Sequence, residues 1–398
     1  MAVTQLPLLG PLRGFAACMV VLFHARLLLF PQWKESIAGA TQLIENGYLW
    51  VDLFFILSGL VMAHVYARTM ATRQVRVMHF LWLRLTRVYP LFATTMIVLI
   101  GWELFKQAHQ TGFYAGPLFR EWGFEGAQAF ESLFTPAAAL PSSFLLMQAP
   151  AGYGLTWNFA AWSLSVEWIS YLLFPLLLPL ALRRSRWAIL APLAAIALLT
   201  ALLFQHGTLD LTNGAPAVGR GVAGFTIGVW LLRPVQATRL RPIARSDRLL
   251  GALFLLPLIL LHFTLTPLLT MAVLIAFVAL VWIAASQTLR DARVFSLLEN
   301  RITRLLGDLS YSIYLWHAVL LLTGLELAHY LAPEAVEAWF GVTDPASGVL
   351  AVALFMVLLW GLSWCSYHGI ERPAQRALRR LIKAPRPEAA NGSGVTVE

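Results

Sequence analysis

The chain has 398 residues, 59% of them hydrophobic and 12% charged, with a mean hydropathy of +0.70. A soluble domain is nearer half apolar and a quarter charged, so this composition excludes a water-soluble globule and predicts an integral membrane protein. The formal net charge of +9 is accounted for by the loops described below and calls for no nucleic-acid partner.

Apolar runs of about 20 residues are long enough to cross a bilayer as helices. Ten such runs follow one another near residues 10–30, 47–67, 87–105, 162–182, 187–204, 215–232, 249–264, 267–286, 308–328 and 348–368. The predicted fold is all-α: a polytopic membrane domain over residues 1–375 with about ten transmembrane helices, then a basic, disordered cytoplasmic tail over 376–398. An apolar piece near 138–148, bracketed by prolines, is too short to span and is expected to be re-entrant or interfacial. The N-terminal run is too long for a signal-peptide core and has no small-residue cleavage site, so it is expected to stay attached.

Charge fixes the orientation. The loops after the second, fourth, sixth and eighth runs, with Arg84, Arg87 and the tail from Arg372 to Arg386, hold most of the 29 basic residues. The opposite loops hold only Lys34, Lys106 and Arg120. By the positive-inside rule both termini are cytoplasmic. Cys18 and Cys365 fall inside predicted spans and read as small core residues, with neither disulfide nor zinc spacing. No metal site is expected.

Ionisable side chains within spans are costly and mark candidate functional sites. At 1.5 Å per residue, His24 lies roughly 4–5 Å beyond the midplane and Asp52 about 7–8 Å beyond it, with Glu167 and Arg220 near the same depth and His317 close to the middle of its span. Groups from separate helices thus share one layer and are expected to face a polar cavity. Asp52 and Arg220 read equally well as a structural ion pair. Ser163 and Ser165, in "WSLSVEW", can line that cavity or satisfy backbone groups. "GDLS" at Gly307–Ser310 sits at an expected helix entrance, where Asp308 and Ser310 are ordinary N-terminal residues. Tyr114, Trp122, Tyr153 and Trp157, in the long outer loop, suit either stacking on sugar rings or interfacial anchoring.

Five motifs then occur in a telling order: Arg13–x10–His24, "GYLWVDLFFILSG", "HFLWLRLTRVYPLF", "WSLSVEW" and "LSYSIYLWH". Together they resemble acyltransferase family 3, membrane-bound O-acyltransferases of bacterial cell envelopes, over about residues 5–375. The resemblance implies activity-linked roles for Arg13 and His24, for the arginine pair Arg84 and Arg87, and for Glu167. This chain has "VEW" where many relatives carry a second acid, and it contains no SGNH esterase-like domain of the kind some relatives append. The membrane domain is therefore expected to complete the transfer itself or to hand the acyl group to a separate protein.

What the resemblance implies is transfer of an acetyl or other short acyl group from cytoplasmic acyl-CoA to a hydroxyl of an envelope glycan, exopolysaccharide or lipid-linked sugar, in the inner membrane and among its lipids. Acyl-CoA is a donor substrate, and no bound cofactor is expected. His24 would act as base or as acyl-accepting nucleophile, supported by Glu167 or Asp52. Arg13, Arg84 and Arg87 would hold donor phosphates, with Ser163, Ser165, Arg220, Tyr314 and His317 around the substrate. Arg13 reads alternatively as a snorkelling anchor. A transporter or flippase is the alternative for the whole chain, since intramembrane charge suits it too; paired inverted repeats, its expected signature, are not evident.

Overall fold

In the computed structural model the described residues are 6–182, 186–237 and 240–381. Eleven helices organise them: α1 (Leu9–Leu28), α2 (Trp50–Ala71), α3 (Val77–His109), α4 (Trp162–Leu182), α5 (Leu190–His206), α6 (Gly214–Gln236), α7 (Asp247–Leu261), α8 (Pro267–Ala285), α9 (Arg301–Leu331), α10 (Pro345–Ser366) and α11 (Arg372–Arg380). No strand occurs among the described residues. Nine helices there are long and apolar enough to cross a membrane. The chain is a multi-pass, all-α membrane protein.

The tenth expected span is α7, with only 15 residues, about 22 Å at helical rise. Its partners show that it nevertheless runs the full depth. Asp247, at its start, accepts the backbone N–H groups of Val294 and Phe295, just after α8. Just past its far end, the carbonyls of Leu261 and Phe263 accept from Asn46, just before α2. The two ends of α7 thus meet opposite ends of longer helices.

Close backbone contact sets the helix order. A Cβ at Gly59 or Gly228 would strike the carbonyls of Phe225 and Ile56, so α2 and α6 press together along their length. Gly14 and Gly307 do the same for α1 and α9. Small residues permit such approach, and dispersion gathered along it is the main attraction available between helices in lipid. Both pairs run parallel, as alternate crossing requires: Gly10 meets Gly307 and His24 meets His317 further along.

One face gathers the starts of α1, α3, α7 and α9 with α11. Trp82 donates to the Leu378 carbonyl there, and Arg290 to that of Arg245. We call it the basic face. On the loop face Trp33 donates to the Thr343 carbonyl, Gln32 to that of Trp339, and Trp339 to that of Leu29. The long loop between α3 and α4 is fastened there by a buried ionic knot. Lys106 lies 2.7 Å from Glu103 and 3.0 Å from Glu326, while the carboxylates accept the Phe130, Tyr114 and Trp102 N–H groups.

The 138–148 piece belongs to that loop. A 3-10 turn, Ala137–Ala139, leads into a short helix, Leu140–Phe144. Ala139 and Leu146 join a core with Phe92, Met96 and Ile313, and the Gln148 side chain donates to the Ala161 carbonyl. Irregular backbone survives at such depth when protein, rather than lipid, surrounds it.

Other expectations need correction. The ninth span begins at Arg301, earlier than 308, because Asn300 and Thr303 form a reciprocal cap there. Gly307–Ser310 therefore lies inside α9, where Gly307 serves packing against α1. Cys365 is exposed rather than in the core; Cys18 is partly buried, and both are free. Residues 376–380 continue the helix α11, whereas the rest of the expected tail, from 382, lies outside the described residues, as do 183–185 of one basic loop.

Candidate active site

The sequence places Arg13 and His24 eleven residues apart, which is three helical turns plus about 20°, so both fall on one face of α1. The structure surrounds the two ends of that face with different chemistry.

At the His24 end the partner is His317 of α9. His24 Nδ1 stands 3.3 Å from His317 Nε2, and 3.0 Å from the Val20 carbonyl one turn back. Phe159, in the 3-10 turn before α4, covers both rings at 4.7 and 5.5 Å between centroids. Phe23 and Tyr314 close the sides. The Tyr314 hydroxyl is 2.7 Å from that of Ser163 and donates to the Ala160 carbonyl at 3.1 Å. Towards the loop face, Arg26 pairs with Glu45 at 2.9 Å, and Asp210 lies in electrostatic range of Arg26.

At the Arg13 end three arginines converge from α1 and α3. Arg13 lies within electrostatic range of Glu167, Tyr171 and Arg84, and Arg87 within range of Arg13, Arg84 and Tyr311. Arg13 is half-buried and makes no hydrogen bond or ion pair with any described residue. Arg84 donates to the Tyr66 hydroxyl at 2.6 Å, while its Nε is buried without a partner. Arg87 pairs with Glu371, which also accepts from Ser312 at 2.9 Å. Glu167 accepts from Ser58 and, at 2.6 Å, from Tyr171. Two carboxylates thus stand among three guanidinium groups, and the site is cationic on balance.

The expected single cavity is therefore divided. Arg220 and Asp52 form a third neighbourhood, bonded to each other at 2.7 and 3.0 Å, with the Tyr48 carbonyl as a further acceptor. Arg220 is 0% exposed and lies over the Trp162 ring. Neither Asp52 nor Glu167 touches His24. Depth along an axis could be read from the sequence, but the direction around each helix could not. Ser165 is fully buried; it donates to the Trp162 carbonyl and accepts the Ala149 N–H, so it holds the re-entrant loop. Trp157 is fully buried, with its Nε1 on the Pro136 carbonyl, and Tyr114 stacks on His329, so neither ring has a free face to offer a sugar.

Ser58, Tyr171, Tyr66, Phe159 and Glu371 join the site without having been expected. Two of them left a signal. Tyr171 follows Glu167 by four residues, hence on the same helix face, and Glu371 is the lone acid of the basic "YHGIERPAQRALRR". A turn of π-helix, Tyr367–Glu371, places that carboxylate; such turns often occur at functional sites.

A family model described as an acyltransferase domain matches residues 11–367, nearly the whole chain. A curated relative, protein 2 in the picA locus of Rhizobium radiobacter, is 34% identical over 95 residues. That stretch is 24% of this chain and 44% of the relative, so less than half of the relative's length is matched. No solved structure matches the chain.

Proposed function

Because this chain belongs to acyltransferase family 3 and is an acyltransferase of the membrane, we propose that it moves an acetyl or other short acyl group from acyl-CoA to a hydroxyl of an envelope glycan or lipid-linked sugar. The observation that carries this reading is the polarity of the α1 face. Phosphate-binding chemistry gathers at one end of it and a histidine stands at the other. Their separation, about 16–17 Å along the axis, is of the order of an extended pantetheine arm.

The nucleotide end of the donor would sit at the basic face, with the 3′-phosphate and pyrophosphate on Arg13, Arg84 and Arg87. Guanidinium forks match such oxygens in pairs. Under the positive-inside rule that face is cytoplasmic, where acyl-CoA is made, and the membrane is the inner one. The thioester would then reach His24. An acceptor entering past Arg26, Glu45 and Asp210 presents its hydroxyl to the imidazole. Its O–H bond breaks towards a ring nitrogen, its oxygen bonds the acyl carbon, and the C–S bond breaks with its electron pair on sulfur. The thiolate then takes the proton. Glu167 acts through the arginines: hydrogen-bonded by Ser58 and Tyr171, it offsets positive charge beside Arg13.

The test uses the purified full chain in lipid nanodiscs, with isotope-labelled acetyl-CoA and envelope saccharides. Label should appear as an ester on the acceptor, and His24→Ala should abolish it while leaving insertion intact. Saccharide movement across a vesicle membrane without thiol release would contradict the proposal and favour transport.

A further inference from the structure

Two carbonyl groups decide which nitrogens of the histidine pair carry protons. A carbonyl oxygen only accepts. The Val20 oxygen stands 3.0 Å from His24 Nδ1, so that nitrogen is the donor. The Ile313 oxygen stands 3.3 Å from His317 Nδ1, one turn back on α9, and assigns the proton in the same way. A neutral imidazole has one N–H, so each Nε2 carries a lone pair. That of His317 faces His24 Nδ1 at 3.3 Å and accepts from it. That of His24 meets no described residue.

We propose that His317 is the positioning residue of the base, doing with a neutral ring what a carboxylate does behind the histidine of a Ser-His-Asp triad. The inference rests on the reading of His24 as base. The sequence offered Glu167 or Asp52 for this task, but the first is bonded by Ser58 and Tyr171 and the second gives both oxygens to Arg220. His317 is 0% exposed and walled by Phe159 and Tyr314, so its direction is fixed by packing.

Two consequences follow for the step. The lone pair that takes the acceptor's proton is Nε2 of His24, and the ring cannot turn over without losing both acceptors at Nδ1. When Nε2 is protonated, the positive charge is shared with His317 through the Nδ1–H bond. His317 gains no proton over the cycle; the proton on Nε2 leaves with the thiolate.

The tautomers can be read without turnover. Full-length protein labelled with 15N on histidine, in nanodiscs, should show both rings protonated at Nδ1, the signals being assigned by their loss in His24→Ala and His317→Gln. An Nε2–H tautomer at either ring would overturn the proposal. Kinetics give a second reading. His317→Gln keeps an acceptor near the Nε2 position and should stay within about tenfold of the parent kcat, whereas His317→Leu should lose about 10²-fold in kcat, with the KM for acetyl-CoA within about twofold. Equal loss in the two variants, or a loss carried by KM, would overturn it. A parent protein that transfers no acyl group would sink the proposed function instead, and the spectrum would still report on the pair.

Discussion

Arg220 and Arg13 both lie within membrane-spanning helices, and their surroundings treat them differently. Arg220 has a carboxylate across two of its nitrogens, a backbone carbonyl as a further acceptor and an indole face beneath it. With the Leu211 carbonyl 3.5 Å from its third nitrogen, every nitrogen of this guanidinium faces a protein acceptor. Arg13 bonds no described residue, and its neighbour Arg84 keeps a buried Nε unpartnered. A guanidinium keeps its charge, and a buried N–H without an acceptor, as at Arg84 Nε, is costly. The first environment is closed by protein acceptors; the second leaves guanidinium donors without them. Intramembrane charge that the protein satisfies itself is thus distinct from charge that it leaves unmet.

Breaking the finished pair should have the largest effect. Asp52→Asn leaves the Arg220 charge without a counter-ion, and loss of one partner from a buried pair costs about 3–5 kcal/mol. Expression and thermal stability in detergent should fall sharply. The double variant Asp52→Leu with Arg220→Met should recover most of the loss, since apolar replacement of a buried pair is often neutral. If that double variant folds well and is inactive, the pair has a chemical role as well. Glu167→Gln comes next: stability should hold while acyl transfer drops about 10²-fold, and near-parental turnover would remove Glu167 from the site.

The contrast between these regions also explains what could be read in advance. Span number and helical class follow from hydropathy alone, because lipid demands long apolar helices. Short α7 was legible from the same signal, as the apolar run at 249–264, although its 15 residues fall below the length of the nine longer spans. His24, Arg13, Arg84 and Arg87 were visible as residues out of place in lipid or at its edge. The pairings were not. Whether Asp52 meets His24 or Arg220 depends on helix rotation, which Gly59, Gly224 and Gly228 fix by letting α2 and α6 close upon one another. The buried knot at Lys106 escaped notice because its partner Glu326 lies 220 residues away in the chain.

Sidedness sharpens the account further. With Cys18 and Cys365 replaced, a cysteine at Arg245 or Arg304 should be shielded from an impermeant external thiol reagent, and one at Thr343 should react. The reverse pattern would put the arginine cluster on the wrong side for cytoplasmic donor.

The smallest effect belongs to the loop-face surface. Arg120 bonds Glu337 at 2.5 Å and, with Tyr114 donating as well, holds that carboxyl below its ordinary pKa. A depressed carboxyl contributes stability above its unfolded pKa, and the contribution is lost as pH falls through the folded value. For so exposed a pair it is below about 1 kcal/mol. Glu337→Gln should lower the melting temperature slightly at pH 7, and the difference should vanish in acid. A difference that grew in acid would refute this assignment.

The unmet arginines receive their most direct test from two donors of different length. Initial rates of Arg13→Gln and parent protein would be compared with acetyl-CoA and with acetyl-pantetheine, which shares the thioester and arm but has no nucleotide phosphates. A hydrogen bond to a charged group contributes about 1.5–3 kcal/mol, so the KM for acetyl-CoA should rise by about tenfold or more while the values for acetyl-pantetheine barely change. Equal loss with both donors would show that Arg13 serves the helix and not the phosphates, and would contradict the account.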